Sequence, residues 1–291
     1  MKTIQRIAGV FLLLGVIIGG IVLVRTGGAF SRLNNETVEQ KEKSFQASQM
    51  IELNFDMSST DVEVVGSADT DKVVIKYPES KKQSYSITEE NGKVTITEKH
   101  DRIFNFFRFD IDFFNLKKWT IQIVLPVDSL ETLTLNGASG DVDISKLVIK
   151  KNLALSLRSG DVYLQDTTVA GETSVRLSSG EIELTNIVSK DLYLKATSGD
   201  LDVDRVIVAN QTTMEVTSGD IVLSQFKAGQ ETDLSTTSGD ISGSLVGQMI
   251  EYTIQSKVTS GDNSLPQHLE GGSKQLRVEA TSGDITIRFD Q

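Results

Sequence analysis

The stretch Leu192-Tyr-Leu-Lys-Ala-Thr-Ser-Gly199-Asp-Leu-Asp-Val203 carries apolar residues at alternate positions on both sides of a Ser-Gly-Asp triplet. Leu192, Leu194 and Ala196 precede Gly199 by seven, five and three positions; Leu201 and Val203 follow it by two and four. A period of two marks a strand with one buried face. The offsets are odd before the glycine and even after it, so a continuous strand would send its two halves to opposite faces. A corner at Ser198-Gly199-Asp200 restores one side for both. Glycine accepts positive φ without steric cost, and Ser and Asp hydrogen-bond nearby amides.

The triplet recurs, with Glu once in place of Asp, at Gly140, Gly160, Gly180, Gly199, Gly219, Gly239, Gly261 and Gly283, spaced 20, 20, 19, 20, 20, 22 and 22 residues. The flanking pattern recurs with it, as in Leu153, Leu155, Leu157, Val162 and Leu164 around Gly160. A fixed period near 20 predicts stacked repeats. Each repeat reads as strand, glycine corner, strand and a looser return such as 165–171. The fold class expected is all-β, a β-solenoid, most simply a right-handed parallel β-helix. An antiparallel meander is the competing architecture, but it needs tight turns at both ends of every strand. The regular repeats cover 136–291. Residues 49–135 read as the same solenoid with degenerate repeats and a Phe-rich insert; Ser59-Thr60-Asp61 is a worn corner four nominal periods before Asp141.

Upstream, residues 7–24 are 18 consecutive uncharged, mostly apolar residues. As a helix they reach about 27 Å, close to the ~30 Å hydrocarbon core. They read as one N-terminal transmembrane helix, uncleaved because a signal-peptide core is shorter and ends at an A-x-A-like site. Residues 1–6 form a basic cytoplasmic head and 31–48 a juxtamembrane linker. The C-terminal domain is expected outside the cell membrane.

The 291-residue chain carries 40 acidic and 29 basic side chains, a formal net charge of −11. That balance argues against nucleic acid, whose phosphates need Lys and Arg. With no cysteine there is no disulfide, thiolate nucleophile or Cys-ligated zinc. His100 and His268 are the two histidines. The Asp/Glu column after the glycines invites a bridging divalent cation, but calcium wants six to eight oxygens and the nine-residue calcium repeats carry paired glycines. Solvent and corner amides answer the same repulsion, so no metal and no cofactor is assigned. Six of 12 phenylalanines fall between Phe104 and Phe114. Phe107, Phe109 and Phe113 alternate with charged residues ahead of Trp119, the one tryptophan. They read as a hydrophobic cap or as a membrane or partner patch.

The anchor and the recurring [Thr/Ser]-Ser-Gly-Asp-[Val/Ile/Leu]-x-[Val/Leu/Ile] resemble the β-strand-repeat "putative adhesin" family of unknown function. That family includes the LiaG-like membrane proteins of Gram-positive bacteria. The resemblance spans roughly 45–291 and implies a solenoid displayed at the cell envelope, linked to the envelope-stress response, with no catalytic residues. The function expected is a non-catalytic interaction module with an envelope protein or cell-wall partner. Two alternatives stand beside it: a regulatory subunit of envelope-stress signalling acting through Phe104–Trp119, and a glycan-active β-helix enzyme with paired carboxylates.

Overall fold

Strands that precede successive glycines pair in parallel and in register: Leu153–Ser159 with 173–179, then 192–198, Gln211–Ser218 and Glu231–Ser238. Residues 19 or 20 apart therefore stand over one another, and the inward row Leu155, Val175, Leu194, Met214, Leu234 is buried throughout. The computed structural model describes residues 38–47, 52–81, 83–100 and 119–290. Segments following the glycines stack the same way, burying Val142, Val162, Ile182, Leu201, Ile221 and Ile241. These are the first and second faces of each coil.

The return is a third face rather than a loose loop. Val148–Ile149 pairs in parallel with 168–169, which pairs with 188–189 and on to Ile207–Val208. It closes the core with Ile149, Val169, Ile187, Val208 and Phe226. A second corner separates it from the second face. Lys146, Asp166, Asn186, Arg205 and Gln225 hold it with φ between 49° and 58°, each six residues after a glycine. Left-handed backbone is unfavourable for residues other than glycine. Here side chains bond along the column: Asn186 Nδ2 donates to Asp166 Oδ1 at 2.8 Å, and Arg205 Nε donates to Asn186 Oδ1 at 2.7 Å.

Stacking order departs from chain order at both ends. Glu52–Met57 lies between Lys93–His100 and Thr132–Gly137, and Asp61–Ser67 between Thr120–Pro126 and Val142–Ser145, all parallel. Thr60 thus packs directly on Gly140, one level away in the stack although 80 residues away in the chain. The chain runs outward and adds antiparallel strands: Gln83–Glu90 on Lys93–His100 and Lys72–Glu79 on Thr120–Pro126. At the other end Lys274–Ser282 inserts between Glu231–Ser238 and Tyr252–Ser260. The intervening 262–272 covers that end, with Leu265 buried and Ser256 N donating to Gln267 O. Covered ends leave fewer unpaired strand edges for another chain.

Within 31–48, read above as a linker, Glu39–Gln46 is a strand paired with Lys72–Glu79. Its alternation is short: Lys43 donates to Ile87 O at 2.7 Å and Phe45 packs against the core. Residues 7–24 and 101–118, with Phe107, Phe109 and Phe113, lie outside the described residues. Among the described residues no helix is long and apolar enough to cross a membrane. Trp119 is half-buried at the start of Thr120–Pro126.

Candidate interaction surface

The ridge of Ser-Gly-Asp corners is the most regular surface feature. Its eight glycines have φ from 114° to 144° and stack carbonyl to Cα. At Gly199 an added Cβ would lie 1.8 Å from Gly180 O, which explains why the corner tolerates no side chain. In space the column runs Gly140, Gly160, Gly180, Gly199, Gly219, Gly239, Gly283, Gly261. The last two are exchanged relative to the sequence, as their strands are.

Beside it the acidic residues form a ladder of carboxylate–amide bonds. Asp141 N donates to Asp61 Oδ1, Asp161 N to Asp141 Oδ1 and Glu181 N to Asp161 Oδ1, at 2.8–2.9 Å. The ladder resumes at Asp200, which accepts from Asp220 N; Asp220 accepts from Asp240 N, Asp240 from Asp284 N and Asp284 from Asp262 N, at 2.7–2.8 Å. Every carboxylate of the column except Glu181 and the terminal Asp262 thus takes an amide of the next level. A charge-assisted bond of this kind is stronger than a neutral one and offsets the repulsion along the column. The cost persists at some positions. Burial pushes Asp61 up, with the Asp141 charge adding to it and the Asp141 amide working against it. Burial first, then Asp161, Glu183, Asp200 and Asp202, push Glu181 up. Among the described residues no group of three or more His, Asp or Glu side chains is placed to hold a metal ion.

Two faces flank the ridge and differ in chemistry. The second face presents the row Glu63, Asp143, Tyr163, Glu183, Asp202 and Val222. Burial and the neighbouring Glu63 raise Asp143; burial and Asp161 raise the Tyr163 hydroxyl. The first face presents Ser156, Arg176, Lys195, Glu215, Ser235 and Glu279. There the Arg176 guanidinium stacks 4.4 Å from the Tyr193 ring centre, and Lys195 pairs with Glu215 at 2.6 Å.

A buried polar cluster at the amino-terminal end was not foreseen from sequence. Glu98 Oε2 accepts from Ser58 N at 2.6 Å and Ser59 N at 3.0 Å, and Glu98 Oε1 accepts from Gln83 Nε2 at 2.6 Å. Thr60 and Tyr85 share a 2.7 Å hydroxyl bond beside it. Burial foremost pushes the Tyr85 hydroxyl up to about 12. Glu98 here satisfies corner amides, a structural task. His268 is exposed and 3.0 Å from Glu270.

Residues 50–288 match the family described as Toastrack DUF4097. Among solved structures, a "putative adhesin" from Parabacteroides distasonis ATCC 8503 aligns with TM-score 0.47 at 13% identity, over 87% of this chain and 98% of that one. A "putative lipid binding protein" from the same organism aligns with TM-score 0.45 at 13% identity, over 86% and 97%. A "putative adhesin" from Bacteroides fragilis NCTC 9343 aligns with TM-score 0.42 at 12% identity, over 86% and 97%. No curated protein matches the chain.

Proposed function

Taking as premise that the chain belongs to the Toastrack DUF4097 family, we propose that it is a non-catalytic, adhesin-like interaction module displayed outside the cell membrane. Residues 7–24 serve as its anchor. The observation that carries this reading is the division of labour between rows. Inward rows and corners repeat from level to level, whereas the outward rows change freely: Ser156, Arg176, Lys195, Glu215 on the first face and Asp143, Tyr163, Glu183, Asp202 on the second. A frame of that kind holds side chains at fixed spacing for a partner to read, and the hydrogen-bonded ridge spends its carboxylates on structure. The partner proposed is an envelope protein or a wall component, and the LiaG-like resemblance ties it to envelope stress.

Protease added to intact protoplasts tests the topology. The solenoid should be digested from outside; complete protection of residues beyond 50 overturns the reading. A chain deletion that leaves the response to wall-active antibiotics unchanged removes the link to envelope stress.

A further inference from the structure

The outward positions of the third face form a surface unlike the other two. Val148, Thr168, Val188, Ile207 and Lys227 stand in one row across five coils. Lys150, Ala170, Lys190 and Ala209 follow two residues later in their coils, and all nine are exposed. Val188 and Ile207 each keep 42% of their surface in solvent and Val148 keeps 38%. None of the nine is acidic, in a chain where acids outnumber bases 40 to 29. Further along, the connection from Ile241–Val246 to Tyr252–Ser260 carries Ile250, 77% exposed.

Scattered exposed aliphatics need no explanation, but a row on one flat sheet does. From Val148 to Ile207 the row spans three steps of parallel pairing, about 14 Å. Lys227 ends it and Lys150 and Lys190 flank it two residues on, and a lysine stem can lie along apolar surface while its ammonium reaches outward. An anionic polymer would satisfy the lysines alone. An apolar protein patch would satisfy the aliphatics alone. The boundary between anionic headgroups and acyl chains satisfies both.

We propose that the third face lies on an anionic lipid surface, with Val148, Val188 and Ile207 at the headgroup–acyl boundary and Lys150, Lys190 and Lys227 on lipid phosphates. The acidic row of the second face and the aspartate ridge belong to other sides of the coil, so the charge asymmetry of the domain orients it. The proposal rests on the reading above only in requiring a bilayer within reach of the domain.

Because the chain contains no cysteine, single introduced thiols report position cleanly. The full chain is reconstituted into vesicles of phosphatidylglycerol or of phosphatidylcholine, with an environment-sensitive fluorophore on Val188→Cys or, as control, on Thr217→Cys of the first face. Flotation of the vesicles reports anchoring separately. The expected result is a blue-shifted label at 188, quenched by lipid-borne quencher, in phosphatidylglycerol only, with 217 aqueous throughout. The shift should be lost in Lys150→Glu/Lys190→Glu/Lys227→Glu and weaken severalfold at about 1 M salt, where the screening length falls to about 3 Å. A chain that floats while position 188 stays aqueous overturns this proposal and leaves the anchor standing. A chain that floats with neither vesicle overturns both. An equal shift in phosphatidylcholine, a shift that tracks protein-to-lipid ratio, or one produced by soluble polyphosphate without vesicles also overturns it; these point to an uncharged contact, a second copy or an anionic polymer.

Discussion

Replacing Gly199 by alanine separates the two reasons for glycine at the ridge. At φ +132° a Cβ is strained whatever the space around it, a cost of about 1–3 kcal/mol. The Cβ would also meet Gly180 O at 1.8 Å. That oxygen is backbone, held by the ladder, and cannot rotate away. Restoring an ordinary 3.4 Å contact requires the two levels to part locally, stretching the bonds from Gly180 N to Ser198 O and from Ile182 N to Asp200 O. At about 1 kcal/mol net for each bond the stacking contribution is roughly 2 kcal/mol, and the total about 3–5. For a domain of this size each kcal/mol moves the melting temperature by about 2–4 °C, so a drop of about 6–20 °C is expected. Gly271→Ala is the matched control. It has φ +115° but nothing within 4 Å of the added Cβ, so only the backbone strain remains. Thermal unfolding of the detergent-solubilised chain, followed by far-ultraviolet circular dichroism, compares the two. Equal shifts would refute the stacking argument; an unchanged Gly199→Ala melt would refute the corner altogether.

Leu155→Asp and Leu194→Asp bury an unpaired carboxylate in the stacked inward row, at positions 1% and 0% exposed. A cost of several kcal/mol should abolish the melt or lower it steeply in the same assay. Glu98→Ala leaves Ser58 N and Ser59 N without their acceptor and should cost about 2–4 kcal/mol, read as early proteolysis of the amino-terminal levels. Asp220→Ala removes the acceptor of Asp240 N and should lower the melting temperature more than Asp220→Asn, which keeps an oxygen there; an Asp220→Asn chain that melts above the native one would mean repulsion outweighs the bond. Burial raises Asp61, Asp143, Glu181 and Asp233 above the ordinary 3.8–4.5 in the folded chain. Their protonated forms are favoured by folding, so stability is lost as pH rises through the raised values. The melting temperature should rise as pH falls from neutral through the raised values toward the ordinary carboxylate range, and a steady fall on that approach would contradict the assignment.

The stacked coil was legible because its period is written twice, once in the glycines and once in the odd and even offsets of Leu192, Leu194, Leu201 and Val203. The third face was not. Its strands, such as Val148–Ile149 and Ile207–Val208, are two residues long, too short for an alternation to register. The second corner was hidden for a different reason. Its left-handed residues are Lys146, Asp166, Asn186, Arg205 and Gln225, a mixed set with no glycine to mark them. Thr173, Thr212 and Thr232 occupy an inward row that the apolar pattern alone does not mark, and Thr173 pairs inside with Ser189 at 2.9 Å. The exchanged levels at both ends could not be read from spacing, because an 80-residue separation is compatible with adjacency when the intervening chain forms its own cap. Of the candidate site, the ridge was visible in sequence; the Glu98 cluster required residues 40 apart to be brought together.

The ladder also explains why this fold suits display. Each level is held to the next by backbone pairing and by glycine-to-glycine contact, and at every step but the one from Glu181 to Asp200 by an aspartate that serves the amide of its neighbour. None of these uses the outward rows. An exposed substitution at Arg176, Tyr163 or Val188 therefore alters what the surface offers while leaving the frame intact, since surface changes away from such features move stability by about 0.5 kcal/mol or less. The same independence makes neighbouring faces separable in function. One coil carries acidic Glu183 on its second face and Val188 with Lys190 on its third, only a corner apart. A face that meets lipid and a face that meets a protein or glycan can coexist on one solenoid without competing for residues. That separation is testable as additivity: the triple lysine variant should leave unchanged any partner affinity that a Tyr163→Ala substitution reduces, because the two rows share no contacts.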